Sequence, residues 1–203
     1  MCGIIGYTGS EDVKGVLLDA LELLEYRGYD SAGIAVADTD AKQTKVYKCA
    51  GRVKDLRTIC ESEKIITECG IGHTRWATHG GVNDTNAHPH QVGKVTLVHN
   101  GIIENYRELI ADYELESVLK SETDSEVVAA LLNKFYTGDP DEAIKKTVSK
   151  LKGTFALVIL FEDHQGEIYS TRNVSPIVAT FCKEGAMLAS DLTALCRFTN
   201  RYF

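Results

Sequence analysis

The last quarter of the chain contains four strand-like segments that follow one another with only short turns between them. These segments are residues 154–161, 167–172, 177–181 and 186–190. Strands joined by short turns pair in the antiparallel sense, because a parallel pair needs a crossover of a dozen residues or more. Further strand-like segments lie at residues 3–8, 33–37, 45–48, 70–74 and 95–100. The sequence therefore predicts an α+β fold with antiparallel sheets covered by helices.

Amphipathic segments between these strands predict the covering helices. The first has an apolar stripe with helical spacing and ends before Gly28; its members are Val13, Val16, Leu17, Ala20, Leu21 and Leu24. Further helices are predicted at residues 53–60, 106–112, 124–136 and 141–151, and a loop-rich segment at 75–91. No linker or repeat divides the chain, so residues 1–203 are expected to form one domain. Residues 201–203 begin another strand-like segment, which suggests that this domain is C-terminally incomplete.

Charge and hydrophobicity exclude several classes of partner. The chain has 22 basic and 29 acidic residues, a net charge of −7, and the bases are scattered. Nucleic acids and anionic membranes are therefore unfavourable partners. The longest apolar run, residues 155–161, is far shorter than the roughly 20 residues of a membrane span. Since the N-terminus also lacks a basic signal-peptide region, a cytoplasmic location is expected.

The cysteines and histidines do not follow a standard metal-binding pattern. The six cysteines include no C-x-x-C pair, and in a reducing compartment they are expected to be thiols. His73, His79, His88 and His90, together with Cys69, do not have the spacing of a zinc site. We therefore expect no metal and no other cofactor.

Cys2 is the first candidate for chemistry. It follows the initiator methionine, and removal of Met1 would leave a free α-amine beside its own thiol. An α-amine has a pKa of about 8, so it can accept the thiol proton directly or through one water. This arrangement is an N-terminal nucleophile. The alternative is a buried core cysteine at the start of a strand.

A glycine pattern in the same segment suggests a different function. Gly3, Gly6 and Gly9 lie between a strand and a helix, as in a dinucleotide-binding unit. The G-x-G core is missing, however, and Asp38 lies beyond the expected distance of about 20 residues. The pattern therefore favours dinucleotide binding only weakly.

Other residues could complete an amide-cleaving site for a free amino acid. Asn100 and Gly101 end a predicted strand and could bind an oxyanion, although Asn-Gly is also a common turn. Arg75 could bind a carboxylate, with Thr78 adding a hydroxyl, or could be a solvated surface side chain. Asp124 could bind an ammonium group, and Thr123 and Glu126 around it form a helix-capping box.

Six segments in the same order resemble the class II glutamine amidotransferases. They are MCGIIG at the N-terminus, EYRGYDSAG at 25–33, GHTRWATHG at 72–80, NAHPH at 86–90, VHNGIIEN at 98–105 and SETDSE at 121–126. Within this family they are most similar to the glutaminase domains of the glutamine-fructose-6-phosphate aminotransferases. The resemblance covers essentially the whole chain.

The resemblance implies a fold and a reaction. The fold is that of the N-terminal nucleophile hydrolases, a four-layer α-β-β-α sandwich with two antiparallel sheets. In the reaction, Cys2 attacks the glutamine side-chain amide and releases ammonia through a γ-glutamyl thioester. Asn100 and Gly101 would form the oxyanion hole.

The resemblance also implies substrate contacts and partners. Arg75, Thr78 and His79 would hold the glutamine carboxylate, and Asp124 its ammonium group. Trp76 would belong to a mobile loop that closes over glutamine, and Arg27 would lie near the nucleophile. The ammonia acceptor, fructose 6-phosphate, would bind to a sugar-phosphate isomerase region that this sequence lacks, in a full-length enzyme expected to be a homo-oligomer.

Two alternatives remain at this point. Purine-pathway amidophosphoribosyltransferases, glutamate synthases and asparagine synthetases share the Cys-Gly start and the Asn-Gly element. The domain could also be a non-catalytic glutamine-binding module, if Met1 is retained and the Cys2 amine stays in a peptide bond.

Overall fold

The computed structural model describes residues 2–61, 65–77 and 80–199. The strands are β1 (Gly3–Gly9), β2 (Ser31–Asp38), β3 (Gln43–Ala50), β4 (Cys69–Arg75), β5 (His90–Val92), β6 (Val95–Ile103), β7 (Gly153–Phe161), β8 (Tyr169–Asn173), β9 (Val178–Cys182) and β10 (Gly185–Ala189). The α-helices are α1 (Val13–Leu24), α2 (Val53–Glu61), α3 (Tyr106–Tyr113), α4 (Asp124–Phe135) and α5 (Pro140–Val148). Short 3₁₀ turns lie at Glu25–Arg27, Glu116–Val118 and Leu192–Ala194.

The strands form two sheets in which every neighbouring pair is antiparallel. The larger sheet has the order β3-β2-β4-β1-β10-β9, and the smaller has the order β5-β6-β7-β8. The predicted α+β class with two antiparallel sheets is therefore confirmed.

Three hydrophobic clusters separate four layers. One packs α1 and α2 against the larger sheet, and a second packs α3, α4 and α5 against the smaller sheet. The third lies between the sheets and includes Ile4, Ile71, Val98 and Val158, all fully buried. Each large aliphatic side chain buried in this way stabilises the fold by about 1.5–3 kcal/mol. The resulting order of layers is α-β-β-α, as predicted.

Strand alternation places the polar candidates at one end of the inter-sheet layer. Side chains two residues apart on a strand share a face. Ile4, Ile71 and Val98 lie in the inter-sheet cluster, so the same faces carry Cys2, His73 and Asn100 respectively. The sheets thus place a thiol, an imidazole and an amide opposite one another.

The structure corrects two predicted elements. Residues 90 and 91, predicted as the end of a loop, form β5 together with Val92. This strand pairs with β6 through a tight turn at Gly93, which has a φ of +56°. The predicted helix at 141–151 ends at Val148, because Lys150 and Leu151 hydrogen-bond in turns to Thr147 and Val148. The predicted strand at 201–203 lies outside the described residues.

The helices of the described residues do not span a membrane. Within residues 2–61, 65–77 and 80–199, none is both long enough and apolar enough to cross a bilayer.

Candidate active site

Cys2 lies at the open end of β1 and is held by its sulfur and by its carbonyl group. Its Sγ accepts a hydrogen bond from the Trp76 backbone N–H at 3.2 Å. Its carbonyl oxygen accepts from Asn100 Nδ2 at 2.9 Å and from Arg27 Nε at 3.2 Å. The residue is thus fixed by contacts from three separate segments of the chain.

The surroundings of Cys2 favour the thiol over the thiolate. Burial raises the pKa of the Cys2 thiol above its ordinary value, and the Trp76 hydrogen bond and the charges of Arg75 and Arg27 oppose this only in part. A thiolate is the reactive form of cysteine. Cys2 therefore needs a base to become a nucleophile near neutral pH.

Asn100 is oriented by an imidazole as well as by Cys2. His73 Nε2 lies 3.1 Å from the His99 carbonyl oxygen and 3.1 Å from Asn100 Oδ1. Both oxygens are acceptors, so Nε2 carries the hydrogen. Burial lowers the pKa of His73 to about 3, which leaves the ring neutral at pH 7. The Asn100 amide therefore has a defined orientation, with its nitrogen toward Cys2.

Gly101 follows at a position where a side chain does not fit. Its φ is +134°, which L residues rarely adopt, and a Cβ would clash with the Thr154 carbonyl oxygen on β7. A glycine is therefore required at this end of β6, next to Asn100.

Arg75 ends β4 and is buried, with 5% of its surface exposed. Its Nη1 donates to the Gly81 carbonyl oxygen at 3.2 Å, and its own carbonyl accepts from the Asp30 N–H at 3.0 Å. Burial lowers the pKa of the guanidinium, whereas Cys2, Asp30 and Asp124 raise it. Arginine stays protonated at any physiological pH, so this is a buried positive charge. The alternative interpretation of Arg75 as a solvated surface residue is therefore excluded.

Asp124 begins α4 and connects that helix to β6. Thr123 caps the helix by accepting from the Glu126 N–H, which is one half of the predicted capping box. The Glu126 carboxylate accepts from the Lys120 and Ser121 N–H groups instead of the Thr123 N–H. Asp124 Oδ2 accepts from the Ile103 N–H at 2.8 Å, and Oδ1 accepts from Ser125 Oγ at 3.3 Å. A carboxylate has about four acceptor positions, so two bonds leave room for an ammonium group.

These side chains line one cleft. Its lining consists of Cys2, Arg75, Trp76, His88, His99, Gly101, Thr123, Asp124 and Ser125. Arg27 and Asn100 contact Cys2 from outside this set. The predicted Thr78 and His79 lie outside the described residues. The cleft offers a thiol, a cation and an anion, which match an amide, a carboxylate and an ammonium group.

The Trp76 side chain turns toward the segment that precedes β2. Trp76 is 46% exposed, and its ring packs edge-on against Tyr29, with ring centroids 5.6 Å apart. The next residue, Ala77, donates its N–H to Asp30 Oδ2 at 2.9 Å. Residues 29 and 30 therefore hold the chain just beyond β4, a role for Asp30 that sequence reasoning missed.

A second pair of residues missed by sequence reasoning holds the loop beside the cleft. Asn86 Nδ2 donates to Glu122 Oε2 at 3.0 Å, and the Glu122 N–H donates to Asn86 Oδ1 at 3.0 Å. Both residues lie in segments that carry the family resemblance, NAHPH and SETDSE, so their motifs were visible but their contact was not.

Four buried neutral histidines lie at or beside the cleft, and two of them, His88 and His99, line it. The rings of His73 and His88 lie 4.1 Å apart, and those of His88 and His90 lie 4.7 Å apart. His99 Nδ1 lies 2.8 Å from Ser125 Oγ. Burial lowers the pKa of His88, His90 and His99 as it does that of His73. Within the described part of the chain, no three His, Cys, Asp or Glu side chains are grouped to hold a metal ion.

The family follows from a sequence match that covers much of this site. The profile of a family described as glutamine amidotransferase domain matches residues 73–197. The chain belongs to this family. The match runs through the end of β4, the Asn100–Gly101 pair and the start of α4, so the amidotransferase profile contains most of the cleft.

Relatives of this amidotransferase domain are longer proteins. Two glutamine-fructose-6-phosphate aminotransferases (isomerizing), from Bacillus spizizenii and Staphylococcus aureus, are each 46% identical to it over 206 aligned residues. The alignments cover 100% of this chain and 34% of each relative. The chain thus spans about a third of the length of these curated relatives.

Two solved structures share the fold of this domain. Glutamine phosphoribosylpyrophosphate amidotransferase from B. subtilis superposes with a TM-score of 0.84 at 25% identity, covering 100% of this chain and 44% of that one. A structure described as the allosteric regulatory enzyme of purine biosynthesis gives 0.86 at 26% identity, with the same coverage. The predicted N-terminal nucleophile hydrolase fold is thereby confirmed.

Proposed function

We propose that this amidotransferase domain hydrolyses the side-chain amide of glutamine to glutamate and ammonia, as the glutaminase part of a glutamine-fructose-6-phosphate aminotransferase. The observation that carries the proposal is the placement of Cys2, Arg75 and Asp124 around one cleft. The 46% identity to these aminotransferases over the whole chain favours this subfamily. The solved structures, at 25–26% identity, fit only the alternative of another class II amidotransferase, and they fit it no better.

The first step is attack by the Cys2 thiol on the glutamine amide carbon. Removal of Met1 frees the α-amine of Cys2, which takes the thiol proton as general base. A base is needed because burial raises the pKa of the Cys2 thiol and keeps it protonated. The Asn100 amide and the Gly101 N–H stabilise the oxyanion that forms.

In the second step, the C–N bond breaks and the Cys2 amine returns the proton to the leaving ammonia. A γ-glutamyl thioester remains on Cys2, and water then hydrolyses it to glutamate and a free thiol. The thiol proton ends on ammonia, and water supplies the atoms that hydrolyse the thioester. The reaction is therefore balanced without a cofactor.

Charge recognition orients the substrate for these steps. Arg75 binds the α-carboxylate with its planar fork, assisted by Thr78 and His79, and Asp124 binds the ammonium group. Trp76 closes over glutamine, and Arg27 supports the nucleophile. These roles combine the cleft geometry with the family resemblance.

The proposal extends to the whole protein. Fructose 6-phosphate accepts the ammonia in a sugar-phosphate isomerase region, for which the unmatched two-thirds of the relatives leave room. Residues 1–203 then form the amidotransferase domain of a homo-oligomeric enzyme in the cytoplasm.

The test combines intact mass with a glutamine-derived diazoketone, 6-diazo-5-oxo-norleucine. Loss of Met1 and an adduct on Cys2, prevented by excess glutamine, would support the proposal. Cys196, which is exposed, and Cys182, which is half-buried, are internal controls that should remain unlabelled. A free Cys2 amine without an adduct would overturn the glutaminase proposal. A retained Met1 with glutamine binding would instead favour a non-catalytic binding module.

A further inference from the structure

We propose that Asp191 is a positioning residue for the Cys2 nucleophile and acts through Arg27. This inference rests on the proposed function, because the proposed function is what makes Cys2 the reacting group. Asp191 lies directly after β10, nearly two hundred residues from Cys2 in sequence, in the turn that begins the 3₁₀ segment Leu192–Ala194.

The carboxylate of Asp191 is held on both oxygens. Its Oδ1 accepts from the Thr193 N–H at 2.9 Å and from Thr193 Oγ1 at 2.8 Å. Its Oδ2 accepts from Arg27 Nη1 at 2.6 Å and from the Tyr26 hydroxyl at 2.8 Å. Four donors therefore fix the orientation of this carboxylate, and its pKa is lowered to about 2, so it is charged at pH 7.

Arg27 transmits this orientation to Cys2. Nη1 binds Asp191 and Nε donates to the Cys2 carbonyl oxygen at 3.2 Å. The guanidinium is planar and rigid, so fixing Nη1 restricts where Nε can point. The Arg27 and Asp191 side chains are 9% and 25% exposed, so solvent screens this ion pair less than it screens a fully exposed one.

Asp191 is itself fixed relative to β1. The preceding residue, Ser190, donates its N–H to the Ile4 carbonyl at 3.0 Å, and its Oγ accepts from the Ile4 N–H at 2.9 Å. The pairing of β1 with β10 therefore sets the distance from Asp191 to the start of β1.

A terminal nucleophile needs such a contact more than an internal one does. Once Met1 is removed, Cys2 is bonded to the chain on one side only, and the described pairing of β1 with β4 begins at Gly3. Because the peptide unit is planar, fixing the Cys2 carbonyl oxygen also fixes its Cα. Arg27 and Asn100 provide the two donors for that oxygen.

The test compares Asp191→Asn with a matched control, Asp163→Asn. Asp163 also binds a cation and a tyrosine hydroxyl, Lys94 at 2.9 Å and Tyr136 at 2.6 Å, but lies at the other end of the smaller sheet. The measurements are kcat and KM for glutamine per active site titrated with the diazoketone, and hydrogen exchange of the N-terminal peptide.

We expect Asp191→Asn to lower kcat about 10-fold or more, since small misplacements of reacting groups have effects of this size. KM should stay within about twofold, because substrate binding is unchanged. Exchange should rise in the N-terminal peptide and not in the peptides of β6 and β7. Asp163→Asn should match the parent protein in all of these measurements. In an Arg27→Ala background, Asp191→Asn should have no further effect on kcat.

Two results would overturn the inference. One is an unchanged kcat and unchanged N-terminal exchange in Asp191→Asn. The other is increased hydrogen exchange throughout the molecule with an unchanged kcat per titrated site. That result would mean that Asp191 only stabilises the fold and does not position Cys2. If the parent protein does not hydrolyse glutamine, the proposed function fails, and the exchange comparison still decides whether Asp191 holds Cys2.

Discussion

The side-chain nitrogen of Asn100 donates a 2.9 Å hydrogen bond to the carbonyl oxygen of Cys2. This bond joins the smaller sheet to the larger one at the open end of the layer between them. His73 holds the other end of the same amide, with Nε2 3.1 Å from its oxygen. One side chain thus helps to hold the nucleophile and presents an amide N–H beside it.

Replacing Asn100 with Ala should lower kcat for glutamine hydrolysis by about 10²–10³-fold, the usual effect of losing one oxyanion-hole donor. Asn105→Ala is the matched control. Asn105 also uses both ends of its amide, since Nδ2 donates to the Lys150 carbonyl and Oδ1 accepts from the Lys152 N–H, but it lies outside the cleft. It should lower stability and leave kcat per titrated site unchanged. Equal losses of kcat in both variants would contradict the role of Asn100.

Predicted strand positions and motif order identified the candidate residues of this site. The strands at 3–8, 70–74 and 95–100 were predicted, but only the structure shows that the faces of Ile4, Ile71 and Val98 also carry Cys2, His73 and Asn100. The capping box around Asp124 likewise predicted the start of α4. Local pattern is informative here because each residue lies on, or at the end of, a regular element.

Contacts between distant turns could not be predicted in the same way. Asp191 follows a strand, and no recognisable motif surrounds it. Its ion pair with Arg27 depends on the pairing of β10 with β1, which cannot be predicted from a single sequence. The short strand β5 was missed for a similar reason, since its three residues reveal their pairing only with β6. Tertiary pairing, rather than local propensity, determines both features.

Replacing Arg75 with Lys should raise KM for glutamine about 10-fold or more. A lysine keeps the charge but loses the planar fork, and a hydrogen bond to a charged group contributes about 1.5–3 kcal/mol. The control is Arg57→Lys, because the Arg57 guanidinium pairs with two carboxylates, Asp19 and Glu22, on the surface of α1 and α2 and away from the cleft. Steady-state kinetics and calorimetric binding to the Cys2→Ala protein measure both variants. An unchanged affinity in Arg75→Lys would remove Arg75 from substrate binding.

Cys2→Ala should abolish ammonia release and retain glutamine binding, since Arg75 and Asp124 keep their positions. Cys69→Ala is the comparison at a buried cysteine outside the cleft; burial raises the pKa of Cys69 to about 12, which keeps it a thiol. That variant should lose stability through a cavity but keep its turnover per titrated site. Undiminished ammonia release by Cys2→Ala would disprove the nucleophile assignment.

Gly28→Ala should impair the site without removing any polar side chain. A Cβ at Gly28 would lie 2.7 Å from the Arg75 carbonyl carbon and 2.8 Å from the Trp76 nitrogen, so the backbone that binds Cys2 Sγ would have to move. We expect lower kcat and weaker glutamine binding. Gly15→Ala, inside α1, meets only the flexible Asp12 carboxylate and should raise stability by up to about 1 kcal/mol. Steady-state kinetics should therefore change in Gly28→Ala and not in Gly15→Ala, and thermal unfolding should show the higher stability of Gly15→Ala.

The buried histidines predict how stability depends on pH. An unfolded histidine has a pKa of about 6.5, whereas burial lowers the pKa of His73 to about 3 and that of His88, His90 and His99 below the ordinary value. Below about pH 6.5 the unfolded chain therefore binds more protons than the folded protein does. The free energy of unfolding keeps its full value above that pH and decreases as pH falls below it.

Between about pH 6 and 5, each histidine that stays neutral in the fold should lower the free energy of unfolding by about 1.4 kcal/mol per pH unit. Lowered carboxyl pKa values, such as those of Asp38 and Asp191, act only at more acidic pH. Urea unfolding at several pH values gives the slope, and His88→Gln should reduce it by the share of one histidine. His164→Gln, which removes a histidine from outside the cluster, is the comparison. A slope that His88→Gln leaves unaltered would mean that His88 is protonated in the folded protein despite its burial.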